Sequence, residues 1–311
     1  MTSIKKLIVI CGPTATGKTK LAVALARKFN GEIVSADSRQ IYKDMNIGTG
    51  KDFKKYKAKN LPPVTYHLID IIKPNTEFNL AKYKKLALKV IADIHARGKI
   101  PFLVGGTGLY ISAIVDNYDI PSVKPNKKIR KKLQNLKILE KIKLLKKLDP
   151  VALNFVDTNN PRRLNRALEV CLSGQKFSAT RKKSQPLFDV LQIGLTLPKK
   201  VLDKKIDQRV DKMINHGLIN EVKKLKKKYR INSILSQIIG YKEIIDYLEL
   251  KTDLNLAVEL IKIHTHQFAK RQITWFKRDK RIKWINPVKS LRSHGAKNKK
   301  EAEKIIKSFL M

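Results

Sequence analysis

At 311 residues with a hydrophobic fraction of 42%, the chain is long enough for one large domain, or a core plus a smaller lobe, and too apolar to be wholly disordered. No apolar run approaches the roughly 20 residues of a membrane helix, and two cysteines, Cys11 and Cys171, are too few for a disulfide framework or a Cys-based zinc site. Lys+Arg number 67 against 26 Asp+Glu, a net charge of +41, with 20 against 9 in residues 1–120 and 47 against 17 in residues 121–311. The second half carries the greater excess, yet charge alone fits a lysine-rich proteome as well as a polyanionic partner.

In chain order, residues 4–11 read as a short buried strand that runs into a glycine-rich turn with no small-residue cleavage site, so the start is not a signal peptide and the protein is expected in the cytoplasm. A helical pattern follows from Lys18 to Lys28, stopped by Asn30-Gly31. Residues 32–36 form a second strand ending at Asp37, Lys82 to Arg97 a helix closing on Gly98, and Ile100 to Val104 a third strand entering Gly105-Gly106-Thr107-Gly108. Strands alternating with helices imply a parallel sheet with helices on both faces, whose ligands sit at the carboxyl ends of the strands. The strand ends at Gly12, Asp37 and Gly105 therefore converge on one edge.

After Tyr118 the texture changes. Leu133, Leu136, Leu139, Ile142, Leu145 and Leu148 make a helical stripe from Ile129 onward, backed by lysines. Asn160-Pro161 has the form of a helix start, an N-cap followed by proline in the first turn. Gly174 ends that helix, Lys182 to Pro186 reads as a surface connection, and residues 190–196 return to strand character. The expected organisation is an α/β core, a P-loop NTPase-like parallel sheet over residues 1–119 and 187–311, interrupted by a helical insertion over residues 120–186.

Gly12-Pro13-Thr14-Ala15-Thr16-Gly17-Lys18-Thr19 fits G-x-x-x-x-G-K-[ST] between a strand and a helix. Its backbone N–H groups and the helix N-terminus offer a nest for oxyanions, Lys18 adds a point charge, and the Thr19 hydroxyl can ligate Mg²⁺. The loop cradles phosphates in general and leaves its occupant open. Asp37 fits equally a general base beside the phosphates and a metal support, for which Val64 to Asp70 also holds a candidate acid. His264 and His266 read as packing residues, as do Trp275 and Phe276.

Together the motifs resemble the tRNA dimethylallyltransferases, also called tRNA isopentenyltransferases. The matching stretches are GPTATGKT at 12–19, SADSRQIYKDMNIGTGK at 35–51, HLID at 67–70 and LVGGTGLYISA at 103–113. They continue with NNPRRLNRALEV at 159–170, IDQRVDKM at 206–213, IIGYKE at 238–243 and AKRQITWFKR at 269–278, in order over about residues 5–285. The resemblance implies that the loop holds dimethylallyl diphosphate with Mg²⁺ at Thr19, that Arg209 is a second cation on the leaving diphosphate, and that Asp37 takes the proton from the attacking adenine N6. It also implies an RNA acceptor, the tRNA anticodon stem-loop, whose adenosine 3′ to the anticodon is drawn out of its stack. Asp37, Ser38, Arg39 and Gln40 would meet the flipped base, with Thr107 on the same edge. Arg162, Arg163, Leu164, Asn165 and Arg166, with Gln237, Ile238, Ile239, Gly240, Tyr241 and Lys242, would grip the loop, and Arg130 the stem.

Two departures stand out: Gly50 occupies a position where the family pattern leads one to expect alanine, and the C-terminal Cys/His zinc finger of eukaryotic members is missing, so the bacterial form is implied. Free adenylate as the acceptor would not need the basic insertion or Arg162 to Arg166. A P-loop kinase would need ATP in the loop and Asp37 on a metal. A non-catalytic RNA-binding protein would tolerate loss of Asp37. The chain is expected to act as a monomer without membrane association.

Overall fold

The computed structural model describes residues 4–57, 61–120, 123, 125–181, 184–229, 234–285 and 294–311. It divides into two compact units, residues 1–115 with 187–311, and residues 116–186. Among the described residues no helix is long and apolar enough to cross a membrane.

The larger unit is built on a six-stranded, all-parallel sheet. Its strands are β1 (Lys6–Cys11), β2 (Gly31–Ser35), β3 (Tyr66–His67), β4 (Ile100–Gly105), β5 (Asp189–Leu195) and β6 (Ile282–Ile285), in the spatial order β3-β2-β4-β1-β5-β6. The α/β expectation holds. The strand foreseen at 100–104 is the fourth in the chain, because the two-residue β3, too short to show a period, precedes it. Strands buried on both faces read as continuous apolar runs, and β1 shows why. Its Ile8 and Ile10 pack with α1 (Lys18–Lys28) on one face, while Leu7, Val9 and Cys11 pack with α2 (Leu80–Ala96) and α3 (Gly108–Val115) on the other.

One end of the sheet is pinned electrostatically. Glu32, buried in β2, receives His67 at 2.7 Å, Arg97 at 2.7 Å and Lys99 at 2.8 Å. Burial works to raise its carboxyl, but the hydrogen bonds from Lys99 and His67 and the charges of Lys99 and Arg97 prevail and hold it at about 2.

A second layer in this unit comprises α7 (Lys199–Asn215), α8 (Leu218–Tyr229), α9 (Tyr241–Leu248) and α10 (Leu254–Phe276), around an apolar core shared with Ile41, Tyr42 and Met45.

The smaller unit packs α4 (Lys127–Gln134), α5 (Ile138–Leu148) and α6 (Pro161–Cys171) around Leu133, Leu145, Leu164 and Leu168. The single stripe expected from Ile129 to Leu148 is two helices. The chain turns at residues 135–137, where Glu140 accepts from the Lys137 N–H at 2.6 Å, and this re-phasing leaves Leu139 at 73% exposure. Asn160 caps α6 as anticipated, accepting from the Arg163 N–H at 3.3 Å. In the connection foreseen at Lys182–Pro186, the first two positions lie outside the described residues.

Candidate active site

The sheet order places the ends of β1, β4 and β2 side by side, so the loops at Gly12, Gly105 and Asp37 do share one edge. In the phosphate loop Gly12, Ala15 and Gly17 take positive φ of 134°, 62° and 88°, a backbone form that can gather N–H groups into a concavity, and Gly17 caps α1. The Thr16 hydroxyl donates to the Pro13 carbonyl at 2.8 Å, and the Lys18 ammonium donates to the same oxygen at 2.6 Å. With no acid in its first turn, α1 presents the positive end of its dipole to the loop.

Arg209 extends from α7 toward this edge and donates from Nη2 to the Thr49 carbonyl at 3.4 Å. Burial lowers the Lys18 ammonium to about 8, opposed by the Asp37 charge and assisted by Arg209. Burial also lowers the Arg209 guanidinium, again opposed by Asp37. The three residues expected from separate stretches of sequence thus feel one another's charge. Two desolvated cations beside an N–H nest constitute a site for a polyanion.

Asp37 accepts at Oδ1 from the backbone N–H groups of Arg39 at 2.8 Å and Gln40 at 3.3 Å. Its Oδ2 has no partner among the described residues. Thr107 orders the same turn: its hydroxyl oxygen accepts from the Ser38 N–H at 3.0 Å while its own N–H donates to the Ala36 carbonyl at 3.1 Å. Gln40 donates from Nε2 to Thr49 O at 3.2 Å, the carbonyl that Arg209 also uses.

Asp70, one of the candidate metal acids, is committed elsewhere, paired with the buried ammonium of Lys51. Among the described residues no group of His, Cys, Asp and Glu is arranged to hold a metal. The donor set suits Mg²⁺ nonetheless, because that ion takes few protein ligands beside phosphate oxygens and water, and Thr19, in the first turn of α1, supplies a hard hydroxyl.

Not every candidate RNA contact reaches solvent. Leu164 and Tyr241 are fully buried and Ile238 is 4% exposed, so their side chains serve packing instead. Tyr241 Oη donates to Glu221 at 2.7 Å, and Gly240, buried, caps α9 through Glu243 at 2.7 Å. Arg162, Arg163, Gln237 and Lys242 are exposed, with Asn165 and Ile239 half-buried. Arg130, expected on the stem, donates to Glu169 at 2.9 and 3.2 Å, and Arg166 joins it at 2.6 Å. These two arginines neutralise a fully buried carboxylate and hold the smaller unit together. His264 pairs with Glu243 at 2.6 Å, and His266 lies between Asp203 at 3.2 Å and Asp207 at 2.7 Å. Phe276 is core, and Trp275 packs partly buried beside it.

Three organising residues escaped the sequence reading. Glu221 accepts from the N–H groups of Asn46, Ile47 and Gly48 at 2.8–3.1 Å and so fixes the loop that carries Thr49. Gln272 bridges two loops of the site, from Thr14 N to Gly106 O. Glu169 was detectable as a partner three residues beyond Arg166. Gln272 was detectable as a polar residue on the buried Ala269–Phe276 stripe of α10.

Fold and site together define an α/β protein with a P-loop built for a polyanion, next to a carboxylate with one unengaged oxygen. Residues 40–279 match the family model described as IPP transferase, and residues 5–60 match Isopentenyl transferase. The tRNA dimethylallyltransferase of Carboxydothermus hydrogenoformans is 45% identical over 294 residues, covering 92% of this chain and 93% of the relative. That of Finegoldia magna is 42% identical, with 91% of each chain covered. The solved tRNA isopentenylpyrophosphate transferase of Bacillus halodurans superposes with a TM-score of 0.73 at 36% identity, over 98% of this chain and 97% of its own. A eukaryotic dimethylallyltransferase acting on tRNA gives 0.82 at 30% identity, over 98% and 79%. The chain belongs to the IPP transferase family.

Proposed function

We propose that this protein transfers the dimethylallyl group of dimethylallyl diphosphate to N6 of the adenosine 3′-adjacent to the anticodon in tRNA. The observation that carries the reading is the convergence of Lys18, Arg209 and Asp37 on the P-loop edge. Membership of a family whose relatives are named for this transfer supports it.

In the reaction the allylic C1–O bond breaks and a C1–N6 bond forms. The electron pair of the broken bond leaves with the diphosphate. The loop N–H groups, Lys18 and Arg209 stabilise that growing charge without reorganising, the form of catalysis that dry, fixed dipoles supply best. Mg²⁺ at Thr19 would add Lewis-acid neutralisation of the same oxygens. Adenine N6 is a weak nucleophile because its lone pair is delocalised, and Oδ2 of Asp37 receives the proton it sheds. Oδ1 keeps the carboxylate oriented through Arg39 N and Gln40 N.

RNA is held by phosphate contacts and by reading the extruded base. Arg39 and Gln40 serve the base, and the exposed Arg162, Arg163, Gln237 and Lys242 serve the anticodon loop. The enzyme is read as a cytoplasmic monomer.

The test incubates the protein with Mg²⁺, dimethylallyl diphosphate and unmodified tRNA, then analyses digested nucleosides by mass spectrometry. Control acceptors are AMP and a tRNA with the target adenosine replaced. Dimethylallyl adenosine found only with the intact tRNA supports the proposal. Product on AMP alone, or ATP hydrolysis without prenyl transfer, overturns it.

A further inference from the structure

We infer that Gln272 is a positioning residue that fastens the donor loop to the acceptor turn; the inference rests on the function proposed above. Gln272 lies in α10 at 7% exposure, and both ends of its planar amide are engaged. Oε1 accepts from the Thr14 N–H at 2.9 Å, and Nε2 donates to the Gly106 carbonyl at 2.8 Å. Thr14 directly precedes Ala15, where the loop takes its left-handed turn, so fixing Thr14 N–H fixes the start of the anion nest. Gly106 directly precedes Thr107, whose hydroxyl receives the Ser38 N–H beside Asp37. A continuous path of hydrogen bonds and adjacent residues therefore runs from the P-loop through Gln272 and Thr107 to the turn that carries the base.

The chemistry of the bridge is selective. One end must accept and the other donate from the same short group, which the planar amide of glutamine does. Asparagine is shorter by a methylene, a carboxylate lacks the donor, and an ammonium lacks the acceptor. Gly106 is matched to this role, since a Cβ there would collide with Gln272 Nε2. Thr14 N–H is spent on Gln272, so the bridge shapes the nest without itself holding phosphate. Preorganisation of this kind acts on donor binding and on the barrier alike, because a loop misplaced by a fraction of an ångström loses aligned donors.

The experiment compares wild type with Gln272→Met and Gln272→Glu in the full-length protein. Three readouts are taken: binding of inorganic pyrophosphate with Mg²⁺ by calorimetry, tRNA affinity without donor, and the single-turnover rate of prenyl transfer. Gln272→Met should weaken pyrophosphate binding about tenfold and lower the single-turnover rate at saturating donor and tRNA, with a smaller loss of tRNA affinity, no more than about threefold. In Gln272→Glu, the ionised carboxylate accepts from Thr14 but opposes the Gly106 carbonyl. Its protonated form donates there and restores the bridge. The ratio of its rate to wild type should therefore climb as pH falls from about 8 to about 5.

Wild-type pyrophosphate binding and rate in Gln272→Met overturns the inference. If that variant does not fold, Gln272→Glu decides alone, and a ratio flat with pH overturns it. Should wild type bind pyrophosphate but prenylate no tRNA, the proposed function fails, while pyrophosphate binding still judges Gln272.

Discussion

Gly50 and Arg209 compete for one space: a Cβ on Gly50 would lie inside the contact radius of the Arg209 guanidinium. Gly50 also has a φ of 66°, a conformation in which L side chains are strained. The departure noticed in the sequence thus sets how closely Arg209 approaches the Thr49 carbonyl. Gly50→Ala should move Arg209 off Thr49 and raise the KM for dimethylallyl diphosphate several-fold, with a smaller change in kcat. Steady-state kinetics with donor varied at saturating tRNA checks this, and the KM for tRNA should hold.

The proposed function gives Asp37 two separable jobs, one per oxygen. Asp37→Asn keeps an Oδ1 that accepts from Arg39 N and Gln40 N but cannot take the N6 proton. Its single-turnover rate should fall by about 10²–10⁴, the usual span for general-base assistance. Its tRNA affinity, read by filter binding, should remain within a factor of about two. Asp37→Ala loses the turn cap as well, and should lose some tRNA affinity along with the rate.

The arginines of α6 divide by exposure. Arg162→Ala and Arg163→Ala should weaken tRNA binding and flatten its salt dependence by about one unit of logarithmic slope each, since each phosphate contact releases counterions. Arg166→Ala should instead destabilise the fold by about 1–3 kcal/mol, by stripping a charge-assisted bond from the buried Glu169. Thermal melting separates the two classes.

The fold was legible where the signals are local and periodic. The run from Ile8 to Cys11, the helix from Lys18 to Lys28 and the cap at Asn160 announce themselves through side chains a few positions apart. The cation–carboxylate edge was reachable only by placing separate strand ends together and, for Arg209, through family resemblance. What stayed hidden depends on distant partners. Nothing near Glu221 in the chain says that it will meet the N–H groups of residues 46–48. Tyr241 and Leu164 sit in stretches that look functional, yet they are buried because their helices must also pack.

Lys18 makes donor binding sensitive to alkali. Its ammonium, lowered by burial to about 8, is the form that the proposed function needs at the diphosphate. Affinity for pyrophosphate should therefore be level below about pH 7 and decline as pH rises through about 8. Calorimetry across that range tests the sign, and Lys18→Met should be weak and insensitive to pH there.

The position of β1 governs the order in which the protein can be made. It lies between β4 on one side and β5 on the other, and β5 lies beyond the whole of the smaller unit in sequence. A chain emerging from the ribosome completes the P-loop first, yet one edge of the strand that supports it stays unpaired until β5 is synthesised. Long-range parallel pairing is slow, and an unpaired apolar edge invites association with other chains. Chains halted before residue 189 should therefore be sticky and catalytically inert despite holding an intact phosphate-loop sequence.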